Sequence, residues 1–332
     1  MRALDSSMRN GAHIFEVELV KVAVAGGFGF LGSNIVKKLQ SKRYEVIPFS
    51  RRSGVDIRDY AKLLEFLITE KPVNVINSAA HVGGIAYNRV KPVEIYEDNL
   101  LIGLNLVRAC YKVGIKKLVN IMPNCTYPGV AEIYTESEWW DGPMHDSVLA
   151  YGIPRKAIWG QCWAYNQHCG FNSIHLILPN LYGPNDHFDP IRSHALGALI
   201  KKIVDAKLMN KNKVVIWGTG SPIREWGYVE DAAEGIVIAM EKYNNINVIN
   251  IGEGKGYSIK EIANMIKEAI SWEGEFEFDI SRPDGAPKKI LDVRKMRLLL
   301  GWEPKRDLKD GIKKTVEWYQ KNRGKYDDYK RC

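Results

Sequence analysis

Residues 19–39, LVKVAVAGGFGFLGSNIVKKL, constrain this chain more than any other stretch. Val20, Val22 and Val24 alternate in a β-branched run that reads as a buried strand. Gly26, Gly29 and Gly32 follow at three-residue spacing, and Ile35, Val36 and Leu39 then share one helical face. A strand, a glycine-rich turn and a helix start, in that order, make a dinucleotide-binding unit. Gly26 permits the tight turn, Gly29 lets backbone approach a pyrophosphate, and Gly32 lets the helix pack on the strand with its N-terminus toward the phosphates. Phe28, Phe30 and Leu31 belong to the same loop. The context, more than the glycines themselves, separates this unit from an incidental glycine turn.

The next strand, residues 45–49, closes on Ser50, Arg51 and Arg52. An NAD site usually carries an acidic residue here for the ribose hydroxyls. A hydroxyl and two cations instead favour a 2′-phosphate, hence NADP(H); the alternative is a plain pair of surface arginines. Asp56 is then expected near the adenine. Residues 73–77 read as a buried strand opening into NSAAHVGG, where Ala79 and Ala80 are small enough for backbone to pass close to the dinucleotide. Residues 117–122 form another strand, followed by PNCTYP at 123–128. Open α/β sheets bind ligands at such C-terminal strand ends.

Residues 129–150 read as an irregular loop near the site, and Tyr151 opens a long helix to about Cys169. Further strands are expected at 173–178, 214–217, 246–251 and 276–278, and helices at 99–110, 194–207 and 259–270, with a helical tail to Asn322. Ser258 and Glu261 form a capping box for the third of these helices. This alternation predicts an α/β chain: a Rossmann-type doubly wound parallel sheet over residues 1–180, with a smaller C-terminal α/β substrate lobe over 181–332. The strand near 214–217 and a helix near 229–241 are expected to return to the first domain.

At 332 residues the chain can hold a large core. No apolar run reaches the ~20 residues of a membrane span, and the start carries no secretion signal. Residues 1–18 match nothing in the expected fold and read as a short arm or a mis-assigned start. Five scattered cysteines, Cys110, Cys125, Cys162, Cys169 and Cys332, form no Cys-x-x-Cys and suggest reduced thiols in a cytoplasm. The net charge is +8, but Lys and Arg are spread along the chain, which points to small anionic ligands and away from nucleic acid. His81, His168 and His187 lack ligand spacing, so no metal site is expected.

Several stretches carry a closer resemblance: AGGFGFLG, AAHVGGI, NCTYP, NLYGPNDHF, WGTGSPIRE and RPDGAPKKILDV. Through them, residues 20–322 resemble the GDP-L-fucose synthase family, in the extended branch of the short-chain dehydrogenases/reductases. The resemblance implies an NADPH-dependent 3,5-epimerase/4-reductase acting on a GDP-linked 4-keto sugar, a hexose or a heptose. The family's reduction centre is a Ser plus Tyr-x-x-x-Lys. The Tyr protonates the developing alkoxide, the Lys lowers its pKa and holds the nicotinamide ribose, and the Ser binds the carbonyl. Tyr151 matches the Tyr, but Arg155 stands in the Lys position and Pro123 in the Ser position. Arg155 keeps a cation on the same helical face, although a guanidinium stays protonated and relays no proton. Lys156 is adjacent but turned by about 100° around the helix. Pro123 has no hydroxyl, so Asn124 or Thr126 would have to reach in.

The resemblance also assigns Cys125 and His194 to the pair that moves protons at C3 and C5, a thiolate and an imidazolium working beside an acidifying ketone. Arg224 and Lys289 align with cations that grip the diphosphate, and Lys202 falls where the family has an Arg. Asn180 belongs to the cofactor side, and Trp217 and Trp226 either wall the base or are core. The plainer alternatives are a core tyrosine at 151, a small buried hydrophobe at 125, a helix-start histidine at 194 and lone surface cations elsewhere. A homodimer through the long helices near residues 99 and 155 is implied by the family. Three readings remain: the full epimerase/reductase, an epimerase without net reduction, and an NADP-binding regulatory protein that has lost turnover.

Overall fold

The structure is a computed structural model and describes residues 19–189, 192–282 and 284–324. The expectation for residues 1–18, and Cys332, lie outside the described residues. β1 (Lys21–Ala25), α1 (Phe30–Ser41), β2 (Glu45–Phe49), α2 (Tyr60–Glu70), β3 (Asn74–Asn77), α3 (Ile85–Val90), α4 (Pro92–Val113), β4 (Lys117–Pro123), α5 (Leu149–Cys169) and β5 (Ser173–Leu178) follow in order. These strands form a parallel sheet in the order β2-β1-β3-β4-β5, closed at the far edge by β9 (Ile249–Asn250). The expected Rossmann-type sheet is therefore present.

Alternation along each strand feeds both faces of the sheet. Val22 and Val24 join Ile35, Leu39, Ile236 and Met296 on one side. Ala23 and Ala25 join Leu63, Leu67, Leu106 and Ile158 on the other. Such double coverage buries β4 and β5 along almost their whole length, and most of their residues are apolar. α4 and α5 pack tightly because Gly103 has no side chain: a Cβ there would lie 2.1 Å from Cγ1 of Ile158.

The remaining elements are β6 (Asn180–Tyr182), α6 (Ala195–Leu208), β7 (Lys213–Trp217), β8 (Ile223–Tyr228), α7 (Val229–Lys242), β10 (Gly256–Ser258), α8 (Ile259–Ala269), β11 (Glu275–Asp279), β12 (Lys288–Lys289), α9 (Arg294–Leu300) and α10 (Leu308–Asn322). Two placements differ from expectation. β7 does not return to the central sheet. It pairs with β11, matching Val214 to Phe276 and Ile216 to Phe278. Only Val214 and Ile216 of its residues are buried, against Ile203, Ile262 and Ile266 of the lobe. A strand with one apolar face suits a sheet edge in the lobe and not a doubly covered parallel sheet. The turn expected from the sequence at residues 218–226 gives way at Ile223 to β8, the strand around which β6, β10 and β12 pair. α7 lies against α1 of the first domain, tied by Lys38–Glu234 at 2.9 Å and Lys42–Glu241 at 2.7 Å.

Candidate active site

The strand order reverses between β1 and β3, which opens a crevice beyond their C-terminal ends. Gly26 stands there at φ +73°, and a Cβ on it would come within 3.0 Å of the Ala79 backbone. A Cβ on Gly32 would meet the Gly26 carbonyl at 2.1 Å. Gly29 caps α1 without a side chain, so the first N–H groups of the helix carry no side-chain cap. Phe28 is exposed, and Phe30 and Leu31 are half-buried around this cradle. At the end of β2, Ser50 and Ser53 form a capping box for the 3-10 turn Arg51–Ser53, with both arginines exposed. A dinucleotide fits these residues: glycines whose side chains would fill the cradle, an uncapped helix N-terminus, and two cations at the ribose end.

Asp56 is committed to the protein itself. Arg58 Nη2 binds its Oδ2 at 2.7 Å, and that hydrogen bond holds the carboxyl below its usual range. Arg58 also binds Asp98 at 2.7 Å. Asp98 pairs with Nδ1 of His81 at 2.8 Å, and Nε2 of His81 meets the Tyr87 hydroxyl at 2.8 Å. This network braces the loop that follows Ala79 and Ala80, including the backbone bond from Gly84 to Arg192 just ahead of His194. Asn180 donates its amide to the Glu225 carbonyl at 3.3 Å, on the lobe side.

The C-terminal end of β4 runs into a single 3-10 turn, Asn124–Thr126, against which α5 packs. Tyr151 and Arg155 are one helical turn apart at the start of α5. Burial pushes the Tyr151 phenol up, Arg155 pulls it down and Cys125 pushes it up. Arg155 is only 2% exposed; its two terminal nitrogens donate to backbone and its Nε has no partner. Nη1 donates to the Ala79 carbonyl at 3.2 Å and Nη2 to that of Ile121. Lys156 is no substitute: its ammonium donates to the Trp139 carbonyl at 2.6 Å and lies 4.3 Å from the Trp140 ring centroid.

The two donors expected to replace the missing serine separate here. Thr126 donates to the Pro123 carbonyl at 2.7 Å and accepts from Nε1 of Trp139 at 2.8 Å. Asn124 is buried, and its Nδ2 has no partner.

Cys125 is buried in the same turn. Burial pushes its thiol up, while Lys289 and then Arg155 pull it down. Lys289 and Arg224 are register partners on β12 and β8, so two cations stand side by side. Burial lowers the His194 imidazole, and His187 lowers it further. Both shifts favour a neutral thiol and a neutral imidazole, the reverse of the thiolate and imidazolium expected from sequence. The physical reason is desolvation, which penalises the charged form of each group.

Trp217 and Trp226 part company. Trp226 is 3% exposed and belongs to the lobe core. Trp217 is 54% exposed and lies 5.2 Å from both Lys202 Nζ and the Arg282 guanidinium. Lys202 also donates to the Val215 carbonyl at 3.0 Å. Arg282 was missed in sequence, as was Glu225. The buried Glu225 carboxylate accepts the backbone N–H groups of Glu253, Gly254 and Leu291, and burial raises its pKa to about 7. It fixes the strand that carries Arg224. Its position inside the WGTGSPIRE stretch was the available signal. Among the described residues no cluster of His, Cys, Asp and Glu is arranged to hold a metal ion.

Residues 22–252 match the model of the NAD dependent epimerase/dehydratase family. A GDP-L-fucose synthase of Arabidopsis thaliana is 38% identical over 303 residues, covering 91% of this chain and 94% of that protein. A GDP-6-OMe-4-keto-L-xylo-heptose reductase from C. jejuni superposes with a TM-score of 0.84 at 29% identity, covering 92% of this chain and 98% of that one. A GDP-L-fucose synthetase of Naegleria fowleri bound to NADP also gives 0.84, at 27% identity over 92% of this chain and 93% of that one.

Proposed function

Because this chain belongs to the NAD dependent epimerase/dehydratase family and, within it, to the GDP-L-fucose synthase group, we propose that it is an NADP(H)-dependent epimerase/reductase acting on a GDP-linked 4-keto hexose or heptose. The observation that carries this reading is the convergence of Tyr151, Cys125, Lys289 and Arg224 at the end of β4, beside the glycine cradle. NADPH supplies the hydride for C4 when bound. Tyr151 gives its phenol proton to the oxygen at C4. His194, neutral, takes the proton from an acidified α-carbon, and Cys125, as a thiol, returns one. Lys289 and Arg224 face the diphosphate, and Trp217 stacks on the base between Lys202 and Arg282. The parallel sheet of residues 19–180, with β9 and α7 added, holds the cofactor, and the remaining described elements beyond residue 181 hold most of the sugar nucleotide.

Supporting the choice of NADP(H), Arg51 and Arg52 are exposed at the end of β2, and Asp56 is occupied by Arg58. No helix among the described residues is long and apolar enough to cross a membrane, and Cys110, Cys125, Cys162 and Cys169 are free thiols; the cytoplasm is the compartment proposed. Leu101, Leu104, Ile153 and Trp163 leave apolar surface on α4 and α5, which supports a homodimer through these helices, checked by light scattering.

A second reading, an epimerase without net reduction, is favoured by Pro123 and by the commitment of Arg155 to backbone carbonyls. The test uses GDP-4-keto-6-deoxy-mannose in deuterated water. Deuterium uptake without cofactor, lost in Cys125→Ala, and NADPH oxidation, lost in Tyr151→Phe, establish the full reading. Uptake with no oxidation identifies the epimerase. Neither signal refutes both.

A further inference from the structure

The reduction centre lacks the serine that should hold the reacting carbonyl, and most of the surrounding donors are spoken for. Pro123 has no hydroxyl. Thr126, Arg155 and Lys156 each donate to a backbone carbonyl of the protein. Two buried donors there have no partner, Nε of Arg155 and Nδ2 of Asn124; Asn124, 5% exposed and set between Pro123 and Cys125, is the uncharged one. A buried amide left unpaired costs about 1–3 kcal/mol, and native proteins rarely keep such a group without a use for it. The turn that carries it faces the start of α5: a Cβ on Gly152, next to Tyr151, would lie 3.6 Å from the Cys125 carbonyl.

We propose that Asn124 is a catalytic residue whose Nδ2 hydrogen-bonds the C4 oxygen of the 4-keto sugar, one position along from the serine of related enzymes. The proposal rests on the epimerase/reductase reading. The C4 oxygen becomes negative twice. When a proton leaves C3 or C5, the electron pair of that C–H bond moves into the ring and the carbonyl π pair moves onto oxygen, giving an enolate. When hydride arrives from NADPH, the same π pair moves onto oxygen, which takes the Tyr151 proton as NADPH becomes NADP+ and the ketone an alcohol. A neutral amide that cannot titrate stabilises both oxyanions equally well across pH.

The experiment compares the parent with Asn124→Ala, Asn124→Asp and the double variant Asn124→Ala/Pro123→Ser. Deuterium exchange without cofactor, NADPH oxidation, NADPH affinity by fluorescence and thermal stability are all measured. Loss of one oxyanion donor predicts that Asn124→Ala slows exchange and reduction together, each by about 100-fold or more, with NADPH affinity unchanged and no loss of stability, since an unpaired buried amide is removed. Asn124→Asp is expected to be at least as slow, since a carboxylate repels the oxyanion. The added serine hydroxyl should restore part of both rates. An Asn124→Ala enzyme that keeps either parental rate overturns the proposal alone. One that loses NADPH affinity in step with its rates, with no rescue by serine, overturns it in favour of a structural role. A parent that neither exchanges deuterium nor oxidises NADPH overturns the functional reading and the proposal with it.

Discussion

Arg155→Met tests whether the cation in the usual lysine position serves the cofactor or the fold. Methionine keeps most of the side-chain volume, so little cavity forms. The change leaves the Ala79 and Ile121 carbonyls, at the ends of β3 and β4, without their donor. Each unpaired buried acceptor costs about 1–3 kcal/mol. Removing the guanidinium also relieves its own desolvation, which offsets part of the loss. A net destabilisation of about 2–4 kcal/mol follows from these terms. At an unfolding entropy of about 2.1 cal/mol/K per residue, over about 300 cooperative residues, that lowers the melting temperature by about 3–6 °C. Calorimetry of the cofactor-free protein is the assay. A melting temperature within about 1 °C of the parent, accompanied by weakened NADPH binding, would refute the reasoning and return Arg155 to the nicotinamide ribose.

Three further outcomes are expected. His175 is fully buried, and burial with help from Arg155 lowers its imidazole to about 3. Its folded value lies below the unfolded one, so its contribution is complete above about pH 6.5 and is lost as pH falls toward the folded value, by about 1.4 kcal/mol per pH unit; in urea titrations at pH 7 and 5, His175→Gln should lose about 2 kcal/mol less than the parent, and equal losses would remove the claim. Gly32→Ala places a Cβ 2.1 Å from the Gly26 carbonyl, so α1 must shift off the cradle and NADPH affinity should fall by more than about tenfold, the equivalent of about 1.4 kcal/mol; unchanged affinity in a fluorescence titration counts against the cradle. Arg51→Asp should narrow or reverse the preference for NADPH over NADH, because a carboxylate repels a 2′-phosphate and accepts ribose hydroxyls. A preference that stays put would make Arg51 a surface residue.

Short-range pattern was enough for the cofactor half of the molecule. Val22 and Val24, the three glycines and Ile35 specify strand, turn and helix within twenty residues of one another, and each requirement is local: a pleat period, a left-handed φ at Gly26, a helical repeat. The helix of Ser258 was legible for the same reason, since both halves of its capping box lie within one turn. The family motifs likewise brought Tyr151, Cys125, Lys289 and Arg224 into view as candidates before any coordinate. What escaped the sequence were partnerships made across the chain. β7 sits in the lobe because β11, some sixty residues on, offers it a matching edge. Asp56 is paired with Arg58, which Asp98 grips as well from α4. Arg155 reads as a cofactor cation in sequence, and only the fold brings the carbonyls of Ala79 and Ile121 to its two terminal nitrogens. Thr126 and Asn124 are equivalent as text, and only the folded turn commits the Thr126 hydroxyl, as donor to the Pro123 carbonyl and acceptor from Trp139, while leaving Nδ2 of Asn124 unpaired. Residue types and their local spacing determine which elements form and which chemistry is on offer. Burial and long-range hydrogen bonding, which exist only once the chain has closed on itself, decide which of those groups remain charged, paired or free to act.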